Sequence, residues 1–408
     1  MDDYPYTRRS FIGGLAATAA LQTMIASGQP APPATADKRK IKVGVVGCGG
    51  RGSFIADLFH QHGGYEVHAL ADYFQDVADR CGDLLGVDKM RRFSGLSGYE
   101  KLIASGVEAV VLQTPPYFFP QHSAAAVAAG LHVYLAKPVA VDVPGCLTIE
   151  ALGKQASEKN QLVFVDFQMS TDPINIEVAR RIREGALGKV AQIQTFGTGS
   201  GVGDPPLGAN IEGRLQNLTW LNDIALGGDY IVNYDIHSID AALWVLDERP
   251  ESASGASRIM RADPHGDAHD VCSVIYRYPS GVVHNHYGQG LNNKFTKDDE
   301  CLLTVISGQV AYAQVNYIGK AFINGGAQAF AGGAVSNLYL DGANRNIASF
   351  YDRIVGGDFT NSTIRRSVDS CLACILGREA ARRNGTLTMA ELIQENRKLT
   401  VNLEGLKA

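Results

Sequence analysis

From Ile41 onward, short runs of β-branched and apolar residues alternate with segments whose apolar positions recur at three- and four-residue spacing. The runs at 41–46, 66–71, 108–113, 132–135 and 162–167 read as strands, and 54–60, 77–85, 123–129 and 147–158 read as helices between them. Such βαβ alternation predicts a parallel sheet covered on both faces. Beyond about residue 166 the texture changes. A helix over 176–184 ends at Gly185, and strict alternation then marks 191–196, 271–278, 282–287, 302–307 and 310–315 as strands. Pro279-Ser280-Gly281 and Ser307-Gly308-Gln309 separate successive runs as hairpin turns, so the second half is expected to hold a mainly antiparallel sheet. Helical spacing returns at 347–354, 367–382 and 389–397, the last capped by Thr388.

At 408 residues the chain is long enough for two domains, with expected boundaries at 41–166 and 167–408 and final helices that can fold back on the first. Its 37 basic and 42 acidic side chains leave a net charge of −5 and only short basic clusters, which excludes a nucleic-acid partner. Seven scattered cysteines make no disulfide framework.

The first 36 residues have a different character. Arg8 and Arg9 precede a weakly apolar stretch to Ile25, and the Pro/Ala-rich segment that follows holds a small-x-small cleavage pattern at Ala34-Thr35-Ala36. Diluted by Gly, Thr, Gln and Ser, the stretch is too weak for a stable membrane anchor and reads as a twin-arginine signal. That route carries folded proteins through the twin-arginine machinery to the periplasm, so a soluble cofactor would have to be acquired first and retained.

Chemistry concentrates at two places. Directly after the first strand stands Gly47-Cys48-Gly49-Gly50-Arg51-Gly52, with Asp72 20 residues beyond its end. Glycines at that spacing let backbone approach a pyrophosphate at a helix amino terminus, and the acid accepts hydrogen bonds from ribose hydroxyls. A carboxylate there repels a 2′-phosphate, favouring NAD over NADP. At the end of the fifth strand, where ligands of open α/β sheets bind, comes Lys137-Pro138. Pro138 restricts Lys137 to extended geometry and permits a cis bond. Desolvation and a neighbouring cationic ring would lower the lysine's pKa and ready it for proton exchange with an alcohol. Farther on, Gly227-Gly228 leads to Asn233, His237 and Asp240, which a continuous helix would set at one-turn intervals.

The glycine fingerprint, Thr114-Pro115-Pro116 after the fourth strand, Ala129-Gly130-Leu131-His132-Val133, Lys137-Pro138 and the Gly-Gly segment ending at His237 together resemble the glucose-fructose oxidoreductase / inositol dehydrogenase / MocA family. The resemblance runs from about Ile41 to Leu399. It implies a Rossmann domain followed by an α/β domain with a large open, mainly antiparallel sheet, a nicotinamide cofactor, and a carbohydrate or cyclitol substrate. It also implies catalytic roles for Lys137 and His237, assisted by Asn233. Cofactor contacts are expected from residues 47–52, Asp72, Tyr73, Thr114, Pro115, Pro116, His122 and Lys137. Three positions depart from the family pattern: Ala136 replaces an acid before the lysine, Asn233 an acid before the histidine, and Phe119 a histidine after Thr114.

Tyr117, Trp220, Tyr230, His237 and His269 are the expected substrate contacts, with Asp267 and Asp270 near them. His284 and His286 share a strand face but have no acid or Cys at ligand spacing, so solvent-facing or substrate-lining places are expected and no metal ligand is assigned. Cys371 and Cys374 share one helical face as packing residues. The expected activity is hydride transfer between a sugar or cyclitol hydroxyl and tightly held NAD. Two alternatives keep the scaffold: glycoside cleavage through transient oxidation and elimination, and a non-catalytic nucleotide-dependent sensor. The open sheet would serve a homodimer or homotetramer.

Overall fold

The computed structural model describes residues 39–199, 201–207, 211–291 and 301–408; the predicted export segment lies outside them. Six strands form the first sheet: β1 (Ile41–Val46), β2 (Tyr65–Asp72), β3 (Arg92–Ser94), β4 (Ala109–Leu112), β5 (His132–Ala136) and β6 (Val163–Asp166), in the order β3-β2-β1-β4-β5-β6. All of its pairings are parallel. Its central strands read as unbroken apolar runs because both faces are covered, as in β4, where all four residues are buried. Helices α1 (Gly50–His62), α2 (Gln75–Leu85), α3 (Gly98–Ile103), α4 (Phe119–Ala128) and α5 (Val143–Glu158) make the crossovers.

After α6 (Pro173–Arg183) the chain builds a second sheet of nine strands. These are β7 (Val190–Thr198), β8 (Ser252–Arg258), β9 (Val271–Arg277), β10 (Val283–Gln289), β11 (Leu302–Gly308), β12 (Ala311–Asn316), β13 (Lys320–Gly325), β14 (Phe330–Ala334) and β15 (Thr386–Thr388), ordered β14-β13-β12-β11-β7-β10-β9-β8-β15. The sheet is antiparallel except where β7 lies parallel to β10 at its middle. Both expected hairpin turns form, between β9 and β10 and between β11 and β12. The edge strands β14 and β15, and β8 beside β15, are rich in Ser, Gly, Ala and Thr and lack the alternation that reveals the others.

One face of this sheet buries Ile193, Val274, Tyr276 and Ile306 beneath α7 (Ile236–Leu246) and the long helix α9 (Ile364–Arg382), which follows α8 (Ala343–Gly356). The opposite face leaves Ile275, Val283, Tyr287 and Tyr312 exposed. The C-terminal helices return to the first sheet. Phe350 of α8 joins Phe59, Tyr134 and Phe164, and α9 packs on α5 with the Cys371 thiol donating to the Ala140 carbonyl at 3.2 Å. Cys371 and Cys374 are both buried and unbridged in that packing. The last helix, α10 (Met389–Glu395), starts at Thr388, whose side chain and that of Glu391 cap each other's backbone N–H.

Candidate active site

The turn after β1 shows why glycines stand where they do. Gly47 has φ 92°, and a Cβ on it would lie 2.7 Å from the Thr114 nitrogen. A Cβ on Gly52 would fall 1.8 Å from the Gly47 carbonyl oxygen. Gly49 differs: a Cβ there meets nothing within 4 Å, and α1 begins behind it with no side-chain cap. Leading N–H groups of α1 therefore face an open exposed side, the arrangement that binds a pyrophosphate. Asp72 at the end of β2 braces this turn. Its Oδ2 accepts from the Cys48 N–H at 2.7 Å and its Oδ1 from the Phe74 N–H at 3.0 Å, while burial raises its carboxyl pKa above the ordinary value. Each oxygen retains a lone pair for a ribose hydroxyl. Residues 47–52 and Asp72 thus fit an NAD-type dinucleotide.

Two expected cofactor contacts are corrected. The Cys48 side chain points inward and is buried, so only its backbone faces the turn. His122 is packed between Tyr99 at 4.2 Å and Phe118 at 5.7 Å, and burial drives its pKa down to about 3; it is a core ring.

Lys137 follows β5 at the carboxyl edge of the sheet, joined to Pro138 by a cis peptide bond. Half-buried, it donates from Nζ to the carbonyl oxygen of Asn233 at 2.7 Å. Desolvation, helped by the Arg51 charge, lowers its pKa to about 7, against an opposing pull from Asp166. His237 enters the same electrostatic neighbourhood: burial first, then the charges of Lys137 and Arg51, hold its pKa well below the ordinary imidazole value. Its ring meets the edge of Tyr317 at 4.8 Å, and its buried Nδ1 has no hydrogen-bond partner. The two residues singled out by sequence reasoning, a hundred positions apart, thus act on each other electrostatically.

The route from Asn233 to His237 differs from expectation. A one-turn helix, Tyr230–Asn233, stops before α7 begins at Ile236, so Asn233 and His237 do not share a helical face. Asn233 serves Lys137 through its backbone carbonyl, while its side-chain amide donates to the Gly227 carbonyl at 3.3 Å. Asp240 is occupied structurally, accepting from Ser370 at 2.8 Å and pairing with Arg366.

Sequence reasoning missed a second ionic layer. Arg51 lies 4.3 Å from the Tyr339 ring centroid, and its Nη2 is 3.3 Å from Asp166 Oδ2. Asn346 donates to Asp166 Oδ1 at 2.7 Å. Asp166 ends β6 on the same edge as Lys137, a position the strand-end rule could have raised, but its partners come from α1 and α8 and leave no local signal.

The expected substrate contacts divide. Trp220 is half-buried in the short 3-10 helix Thr219–Asn222, which precedes the one-turn helix Ile224–Gly227 that packs on Pro116–Phe118. The Tyr117 hydroxyl accepts from the Val401 N–H at 3.4 Å. Tyr230 is corrected to a core residue, its ring buried 5.2 Å from Tyr234. His269 bonds Ser257 at 2.7 Å beside Asp229, and Asp267 and Asp270 are spent on the Ile224, Met260 and Arg261 N–H groups. His284 and His286 are neither solvent-facing nor substrate-lining: both are buried beneath the second sheet.

Known proteins share this fold. A family model described as "Oxidoreductase family, NAD-binding Rossmann fold" matches residues 41–167, and one described as "GFO/IDH/MocA C-terminal domain" matches 176–295. The chain is 22% identical over 247 residues to the 2,7-anhydro-N-acetylneuraminate hydratase of Escherichia coli K12, covering 60% of each protein. It is 24% identical over 243 residues to the inositol 2-dehydrogenase of Rhizobium meliloti 1021, covering 59% of this chain and 66% of that one. The chain thus spans between about three fifths and two thirds of these relatives' length. The structure of GenD2 from gentamicin A biosynthesis, in complex with NAD, superposes with a TM-score of 0.69 at 16% identity, covering 88% of this chain and 99% of that one. By the two matched regions and the fold that carries them, the chain belongs to the GFO/IDH/MocA family of NAD-binding oxidoreductases.

Proposed function

We propose that this protein is an NAD-dependent oxidoreductase acting on a carbohydrate or cyclitol hydroxyl, with Lys137 exchanging the hydroxyl proton. The observation that carries the reading is the half-buried Lys137 amine at the carboxyl edge of the first sheet, held on the Asn233 carbonyl at 2.7 Å, where burial and the Arg51 charge lower its pKa to about 7. When bound, NAD supplies a hydride acceptor at its nicotinamide ring. The backbone of residues 47–52 and the Asp72 carboxylate would hold it, and that carboxylate disfavours NADP. On the protein's side, neutral Lys137 takes the hydroxyl proton as the substrate carbon gives up its hydride, and the ammonium formed keeps the Asn233 carbonyl as acceptor and Asp166 as counter-charge. His237 stays neutral and holds the substrate oxygen by a hydrogen bond. Turnover on a panel of aldoses and cyclitols, cut by about 10²–10⁴-fold in Lys137→Ala while NAD binding persists, tests this; tighter NADP than NAD binding would refute the cofactor preference.

A second reading uses the same residues for a redox-neutral reaction, and the relative named as a hydratase favours it. Oxidation at one carbon would acidify the neighbouring C–H, a substituent would leave, and the hydride would return. Release of the leaving group with no net NADH distinguishes it.

We further propose export by the twin-arginine route to the periplasm with the cofactor retained. The C-terminal segment supports retention. Leu399 N–H donates to Asp142 at 2.8 Å, Val401 N–H to Tyr117, and Lys407 N–H to Tyr73 at 3.2 Å, while the Lys407 carbonyl accepts from Leu96 at 2.9 Å. The segment thereby runs along the carboxyl edge of the sheet past the residue that follows Asp72. Periplasmic accumulation undiminished by the Arg8→Lys/Arg9→Lys double variant would contradict the export reading.

A further inference from the structure

Under the covered face of the second sheet, three donor groups from distant parts of the chain meet. Asp235 Oδ2 lies 2.9 Å from His286 Nε2 and 3.9 Å from Cys272 Sγ, and the three ligand atoms all lie within 4.8 Å of one another. All three side chains are buried. Around a tetrahedral ion with bonds of roughly 2.0–2.3 Å, ligand atoms stand roughly 3.3–3.8 Å apart, a span that the 2.9 and 3.9 Å separations bracket.

We propose that Asp235, Cys272 and His286 form a binding site for one zinc-class divalent cation, separate from the Lys137 crevice. Three further observations support it. A Cβ on Gly288 would fall 2.3 Å from Asp235 Oδ2, 2.6 Å from Cys272 Sγ and 3.1 Å from His286 Nε2, so glycine keeps side-chain atoms out of the space the donors enclose. Asp235 Oδ1 is buried with no hydrogen-bond partner, a costly state for a carboxylate that a cation relieves. His286 Nδ1 rests on Thr195 Oγ1 at 2.9 Å, Thr195 on His284 at 2.6 Å, and His284 on Tyr278 at 3.2 Å, the kind of outer hydrogen bonding that orients a ligating imidazole.

Charge points the same way. A dication with one carboxylate, one thiolate and a neutral imidazole is neutral overall, as a site sealed from water requires. On binding, the Cys272 thiol releases one proton as the metal–sulfur bond forms. His286 carries its ring proton on Nδ1, donating to Thr195, and no electron moves. Mixed sulfur, nitrogen and oxygen donors select zinc over magnesium or calcium.

The test uses the untagged full chain dialysed against Zn²⁺, freed of loose metal by gel filtration and assayed by elemental mass spectrometry. The expected result is one zinc per chain, lost in Cys272→Ala, whose small buried side chain preserves packing. A parallel Co²⁺-loaded wild-type sample should show thiolate-to-cobalt absorption in the near ultraviolet, a readout independent of any variant's folding. Wild type free of zinc after filtration, zinc content unchanged in Cys272→Ala, or a Co²⁺ sample without thiolate absorption would each overturn the proposal.

Discussion

The two sheets use their surfaces in opposite ways. In the parallel sheet both faces are covered, so the strand ends are where it meets solvent, and there Gly47 to Gly52, Asp72, Lys137 and Asp166 gather. The nine-stranded sheet is covered on one face only, which leaves a broad flank bearing Ile275, Val283, Tyr287 and Tyr312. Ligand chemistry belongs at an edge where backbone N–H groups and strand-end side chains converge. A wide half-apolar face suits contact with another protein surface.

Substitutions that separate edge from face test that contrast. Lys137→Ala should have the largest effect, cutting turnover by about 10²–10⁴-fold, the usual contribution of a positioned proton acceptor, with NAD affinity nearly unchanged in a fluorescence titration. Gly52→Val forces a Cβ against the Gly47 carbonyl and should weaken NAD by about 10²-fold or more, because the pyrophosphate turn itself must shift. Ending the chain at Leu399 removes the segment bonded to Tyr117 and Tyr73, and cofactor release in stopped flow should quicken by about tenfold, the equivalent of roughly 1.4 kcal/mol. Tighter NAD binding by the shortened chain would instead make the segment a plug. Tyr287→Asp with Tyr312→Asp, which put charge on the exposed flank, should leave NAD affinity unchanged; loss of NAD binding there would break the division between edge and face.

The same contrast governs what the sequence discloses. Parallel strands buried on both faces announce themselves as apolar runs, and the turn between β1 and α1 carries its requirements in consecutive residues, so β1, β2, β4, β5 and β6, the fingerprint and Lys137 were legible, while the three-residue β3 was too short to register. The second sheet was legible only where alternation was strong, as in β9, β10 and β11; β8 and β14, made of Ser, Ala and Gly, were silent. Sites assembled from distant segments were hidden for a different reason. Arg51 and Asp166 are 115 residues apart, and the acid and thiol that meet His286 come from Asp235 and Cys272, on a loop and a neighbouring strand. Asn233 misled because its side-chain chemistry drew notice while its carbonyl oxygen does the contacting.

The pH dependence of hydride transfer, measured in a single turnover with enzyme-bound NAD and a sugar or cyclitol substrate, tests the role of Lys137 most directly. If the amine is the proton acceptor, the rate rises as pH passes through about 7 and then levels, and in Lys137→Ala both the rate and its rise are lost. A rate that is flat through that range in the wild type, or one that keeps the same profile without the lysine, would contradict the account.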